Sequence, residues 1–119
     1  MPRVTRAIQT PLENPATPVT ALALDVNFTA VDIVNFEQTP MSGPFILVCQ
    51  NTSGSAITLT VNSVADALRR TGDITAYSIG ANLTSILKFT SSLGWKQADG
   101  NLYYQGSAVG LKIAAVALT

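Results

Sequence analysis

Hydrophobic and polar residues alternate along most of this chain with the period of two that a half-buried strand imposes. In "TALALDVNFTA", Leu22, Leu24, Val26 and Phe28 fall on one side, and Ala21, Ala23, Asp25, Asn27 and Thr29 on the other. "VDIVNF" reads as a second strand or as the continuation of the first. "PFILVCQ" differs, being apolar without a break and bounded by Pro44 and the polar "NTSGS". Such a run suits a strand covered on both faces. In "AITLTVN" the alternation returns, with Ile57, Leu59 and Val61 expected inward and Thr58, Thr60 and Asn62 outward. The turn composition of Asn51 to Ser55 between these runs predicts an antiparallel hairpin.

"SVADALRRTGD" carries no such period and reads as an ordered loop. It has room for one helical turn, capped by Ser63 with Asp66 three positions on and ended by Gly72. "ITAYSI", "LTSILKF", "LYYQ" and "GLKIAAVAL" restore the strand pattern. The expectation is an all-β, single-domain antiparallel β-sandwich or barrel of about seven to nine short strands. Residues 1–18 stand apart from it. Pro2, Pro11, Pro15 and Pro18 disfavour helix and central strand alike and favour extended chain. They predict an extended N-terminal arm at 1–18, or in an isolated monomer a disordered tail, and a β domain at 19–119.

Composition narrows the chemistry. One cysteine, Cys49, and no histidine exclude an internal disulfide and a zinc site of the usual Cys/His kind. Cys49 is expected to behave as a small buried hydrophobe. Seven basic and seven acidic residues cancel and are scattered. That argues against nucleic acid as a partner, since phosphate binding needs clustered Lys and Arg. The lone pair Arg69-Arg70 reads as a solvated loop. No secretory leader pattern is visible in the first twenty residues, and "LKIAAVAL" is too short to cross a bilayer. No membrane partner is expected. Charged residues make up only 12% of the chain, against about 25% in an ordinary soluble domain. A surface so poor in charge is weakly protected against association, which suggests that other chains cover part of it.

No catalytic constellation is legible. Without histidine, acid–base work needs paired carboxylates. Asp25, Asp32, Glu37, Asp66 and Asp73 are not spaced to share a strand face at one substrate position. "RTGD" reads as a turn, and an oxygen-only cation site at Asp66 and Asp73 has nothing to support it. No enzyme, cofactor or metal is expected. Trp95, Tyr77, Tyr103 and Tyr104 are candidates for a sugar-stacking platform, but adjacent tyrosines on a strand face opposite ways. One of Tyr103 and Tyr104 is therefore expected in the core and the other on the surface. Asp99 and Gly100 are the structural turn residues of "KQADGNLYYQGS". Asp-Gly is a strong signal for a type I′ hairpin between Lys96–Ala98 and Asn101–Tyr104.

Taken in order, "ILVCQNTSGSAITLTV", "RTGDIT", "ADGNLYY" and "LKIAAVAL" resemble a family of small tailed-phage virion proteins. Its members carry a "vvxNxsgsxitVTv" segment, a "GxtxDit" segment, a late "DG.v.v" turn and a C-terminal "lkiaal". The resemblance covers Phe45 to Leu118. It departs at "GPF", which many members place before the DG turn and which stands here at Gly43 to Phe45, with "LKFTSSLG" in its place. The resemblance implies a head decoration, or cement, protein. Such a protein is made in the host cytoplasm, binds the major capsid protein on the capsid surface, and bridges capsomers as a homo-oligomer, with a trimer favoured. Pro11, Leu12, Pro15 and Pro18 are then the candidate capsid or subunit contacts, because a proline-stiffened arm loses little entropy on docking. Deleting residues 2–18 is expected to abolish capsid binding and spare the fold. Two other readings stay open. One is a carbohydrate- or receptor-binding β-sandwich module, and the other a head–tail connector or tail component.

Overall fold

Where apolar residues recur at every second position, the chain forms its central strands. In a computed structural model of the protein, residues 3–10, 26–64, 73–91 and 94–118 are described. Among them are ten strands and no helix: β1 (Val4–Thr5), β2 (Ile8–Gln9), β3 (Thr29–Ala30), β4 (Glu37–Pro40), β5 (Phe45–Asn51), β6 (Ile57–Asn62), β7 (Ile74–Ile79), β8 (Thr84–Phe89), β9 (Asn101–Gly106) and β10 (Leu111–Ala117). They form two sheets. The first runs β1-β4-β9-β6-β7 and the second β2-β10-β5-β8, with β3 also paired to β10. The longer strands pair antiparallel, while β1 joins β4 and β2 joins β10 in parallel, so both sheets are mixed.

The core lies between the sheets, as expected for a β-sandwich. Phe45, Leu47 and Cys49 of β5 and Leu111, Ile113 and Ala115 of β10 belong to the second sheet. They share one buried cluster with Ile57, Leu59, Val61, Ile79, Leu102 and Tyr104 of the first. Each large apolar side chain buried this way contributes about 1.5–3 kcal/mol. β5 alternates despite its unbroken apolar sequence: Phe45, Leu47, Cys49 and Asn51 are buried, whereas Ile46, Val48 and Gln50 stay partly open on the outer face.

"NTSGS" does not close a hairpin. β5 pairs with β8 and β10 in one sheet, β6 with β7 and β9 in the other, so the segment carries the chain across the core. Asn51 holds this corner. Its buried Nδ2 donates to the carbonyls of Ser55, Ile79 and Gly80 at 2.8, 2.9 and 3.1 Å, and its Oδ1 accepts from the Ser53 N–H and Oγ. The inward faces of β5 and β6 therefore meet across the sandwich.

"VDIVNF" is a turn. Asp32 Oδ1 accepts the N–H groups of Val34 and Asn35, both at 2.9 Å, and the Phe36 N–H returns to the Asp32 carbonyl. A side chain that captures the next backbone donors competes with a ladder. Val26 and Phe28 are exposed, and of "TALALDVNFTA" Thr29–Ala30 is in a sheet, while Leu22 and Leu24 lie outside the described residues. The reading of a helical turn in 65–72 also falls outside them.

Residues 3–10, within the stretch read as an arm, supply β1 and β2 and so tie it to both sheets. In β7, Ala76 has a φ of 52° and the pairing with β6 shifts between Leu59 and Val61. This bulge lets Ile74 and Tyr77, three positions apart, both face inward beside Val61 and Leu59.

Candidate functional site

Of the carboxylates weighed for acid–base work, the described ones, Asp32, Glu37 and Asp73, are each engaged in holding the fold. Glu37 faces inward from β4 with its side chain fully buried. Arg6 meets it in a bidentate pair, Nε donating at 3.0 and 2.9 Å and Nη2 at 2.9 Å, and the Asp32 N–H adds a further bond at 3.0 Å. The Asn35 N–H, and then that of Val34, hold the Asp32 carboxyl below the usual carboxylate range. Bonds from the Ser63 N–H and Oγ do the same for Asp73. Asp25 and Asp66 lie outside the described residues, and among those described no three His, Cys, Asp or Glu side chains gather as metal ligands.

The Asp99–Gly100 stretch is a turn, of another type than its sequence predicts. Gly100 has a φ of 88°, and Asp99 is not in the left-handed region. The Gly100 N–H bonds the Gln97 carbonyl at 2.9 Å and the Gln97 N–H bonds the Asn101 carbonyl at 2.8 Å. This is a type I turn over Gln97–Gly100 that ends on a left-handed glycine, and Lys96–Ala98, read as the first strand of a hairpin, forms no strand: β9 pairs with β4 and β6 instead. Only one residue needs positive φ, so glycine alone is demanded. The Asp99 carboxylate braces the strand that follows, accepting the Asn101 N–H at 3.1 Å and the Tyr103 hydroxyl at 2.6 Å. The Tyr103 hydroxyl lowers the Asp99 carboxyl, and Asp99 raises the Tyr103 phenol.

The four aromatics do not form one platform. Tyr104 is buried, its hydroxyl sharing a 2.8 Å hydrogen bond with the Thr39 hydroxyl. Tyr103 points outward under Arg3, whose guanidinium carbon lies 4.2 Å from the ring centre. Arg3 also donates to the carbonyls of Glu37 and Tyr104. Trp95 packs edge-on against Phe89 at 5.6 Å. Tyr77 is 47% exposed on β7.

Two surfaces remain uncommitted. One is the mouth of the sandwich between β7 and β8, the end strands of their sheets. Here the inward side chains are incompletely covered. A recess of ≈ 360 Å³ is lined by Ile74, Leu87, Phe89 and Trp95, and another of ≈ 380 Å³ by Ile74, Tyr77, Ser85 and Leu87. The other is the outer face of the second sheet. Its middle row is apolar, with Val48 partly open, Ile86 exposed and Ala114 beside them buried, and Lys88 and Lys112 flank it in the adjoining rows. Ile86 is 62% exposed. Neither surface was marked in the sequence, although an Ile-Leu pair in the otherwise alternating "LTSILKF" is the signal that points to it. Pro11, Leu12, Pro15 and Pro18, the expected contact residues, lie outside the described residues. No family model, no curated protein and no solved structure matches this chain.

Proposed function

We propose that the chain is a non-catalytic virion protein that decorates the outer surface of a tailed-phage capsid and bridges neighbouring capsomers. The observation that carries this reading is the ordered set of segments between Phe45 and Leu118 that resembles the phage family. The surface chemistry agrees with it. A cement protein needs a stiff scaffold and mating surfaces, and the open apolar pair Val48 and Ile86 would suit such a surface. Each contact can be weak, because many copies on one shell act at high effective concentration.

Deletion of residues 2–18 is a poor test, since it also removes Arg6 from the buried Glu37. The better variant replaces Pro11, Leu12, Pro15 and Pro18 by serine and keeps residues 3–10. Wild-type protein should saturate expanded capsids in a co-sedimentation assay, and the serine variant should occupy them at least about tenfold less at equal concentration. Cryo-EM of the virion should place the density on the capsid surface. Density at the portal vertex or tail would overturn the decoration role in favour of a connector or tail component. Specific signal on a glycan array, lost in Trp95→Ala, would favour the carbohydrate-binding module.

A further inference from the structure

β8 ends the second sheet, and its hydrogen bonding shows which backbone groups it leaves free. The Asn51 N–H donates to the Leu83 carbonyl at 3.0 Å, in line with the β5–β8 register that pairs Cys49 with Ser85, Leu47 with Leu87 and Phe45 with Phe89. In an antiparallel ladder, alternate residues exchange bonds with a given neighbour. Residues 85, 87 and 89 therefore bond β5, while Thr84, Ile86 and Lys88 turn their N–H and C=O groups to the open side. No strand among the described residues takes them up. Edges of this kind are commonly blunted by proline, bulges or charge. β7 has its bulge at Ala76. β8 has no proline and a single charge, Lys88.

We propose that β8 pairs with β8 of a second copy of this chain, antiparallel about a two-fold axis through Ile86. Three features select that occupant and register. First, only a register centred on Ile86 pairs all three free residues within the strand: Ile86 with Ile86 of the second copy, and Thr84 with Lys88 in both directions. That makes about six backbone hydrogen bonds. Second, the charges accept it. Lys88 faces a threonine, whereas sliding the strands by four residues would set Lys88 against Lys88, a destabilising like-charge pair. Third, the inward face is self-complementary. Leu87 of the second copy falls opposite Ser85, beside the ≈ 380 Å³ recess that Ser85 lines with Ile74 and Tyr77. A large side chain enters where a small one leaves space. On the outer face the apolar row of each sheet meets its mate at Ile86. The contact does not depend on the capsid role, and its two-fold axis is distinct from any three-fold assembly.

The contact is a single pair of short strands, so in solution the dimer should be weak and its population should rise with protein concentration. Cysteine scanning of the full chain tests it cleanly, because the native Cys49 is fully buried. Paired Cα atoms about 5.5 Å apart are within disulfide reach. Under mild oxidation Ile86→Cys should give at least about tenfold more disulfide dimer than Val109→Cys, an exposed site elsewhere. Thr84→Cys alone should not cross-link, since its two copies are staggered by about 13 Å. The Thr84→Cys/Lys88→Cys double variant should. Ile86→Lys, which puts like charges on the axis, should weaken association at least about tenfold in sedimentation equilibrium with an unchanged circular dichroism spectrum. The proposal is overturned by a wild-type monomer up to about 1 mM, by equal cross-linking at positions 86 and 109, or by cross-linking of Thr84→Cys alone.

Discussion

Replacing Arg6 by alanine tests the buried ion pair that ties the N-terminal strands to the domain. In the wild type, Glu37 has no exposed side-chain surface and Arg6 keeps only 22% of its own. Two arginine nitrogens and the Asp32 N–H satisfy the carboxylate. Arg6→Ala leaves that charge buried with one backbone donor. Breaking a buried pair by removing one partner typically destabilises by about 3–5 kcal/mol. The chain as a whole is expected to be stable by about 5–15 kcal/mol, so the variant should stay folded near the threshold. Urea titration followed by the fluorescence of Trp95, which packs on Phe89, reads the effect. With a slope of about 1–3 kcal/mol per molar urea, the midpoint should fall by roughly 2 M. A second variant isolates the cause. Arg6→Met/Glu37→Leu removes both charges and should regain at least about 2 kcal/mol, because apolar replacement of a buried pair is often neutral or stabilising. A loss below about 1 kcal/mol for Arg6→Ala, the range of an exposed pair, would refute the reasoning. So would a double variant no better than the single one.

Thr39→Val strands the Tyr104 hydroxyl in the core and should cost about 1–3 kcal/mol in urea titration, most of it regained in Thr39→Val/Tyr104→Phe. Burial pushes the Cys49 thiol up to about 12. The folded state therefore holds a proton that the unfolded chain releases, and the resulting stability is full below about pH 8.5 and is lost as pH rises toward 12. Denaturation midpoints should fall between pH 8.5 and 10, and Cys49→Ala should flatten that slope. Above pH 10 Tyr104, whose phenol is also raised by burial, acts in the same direction. Gly100→Val puts a β-branched residue at a φ of 88° and should lower the melting temperature more than Gly100→Ala, itself expected to cost about 1–2 kcal/mol.

Strands that bury apolar residues were legible in the sequence, and those that bury anything else were not. β6 and β9 follow from Ile57, Leu59 and Val61 and from the Tyr103–Tyr104 alternation. β4 stayed hidden because its inward positions are Glu37 and Thr39, polar residues whose partners Arg6 and Tyr104 lie far along the chain. β1 and β2 have two residues each and exist through pairing with β4 and β10, which no local pattern encodes. "NTSGS" announced a reversal but not its destination. A turn sequence specifies a local change of direction, and whether the next strand joins the same sheet or the opposite one depends on contacts such as Asn51 to Ile79. The uncommitted surfaces had the same limitation. Ile86 reads like any other strand residue until the order of strands makes β8 an edge.

The order in which the strands are made bears on how the protein reaches its native state in the cell. β10 is the last of the described strands in sequence yet sits inside its sheet, between β2 and β5, and also holds β3. Ile8 has to wait for Ala115 before its strand has a neighbour. At a synthesis rate of about 5–20 residues per second, a nascent chain spends seconds with β2, β3 and one side of β5 unpaired. The second sheet cannot close before residues 111–117 leave the ribosome. During that interval the bare edge of β5, where Ile46, Val48 and Gln50 await β10, is the segment on which a chaperone would act.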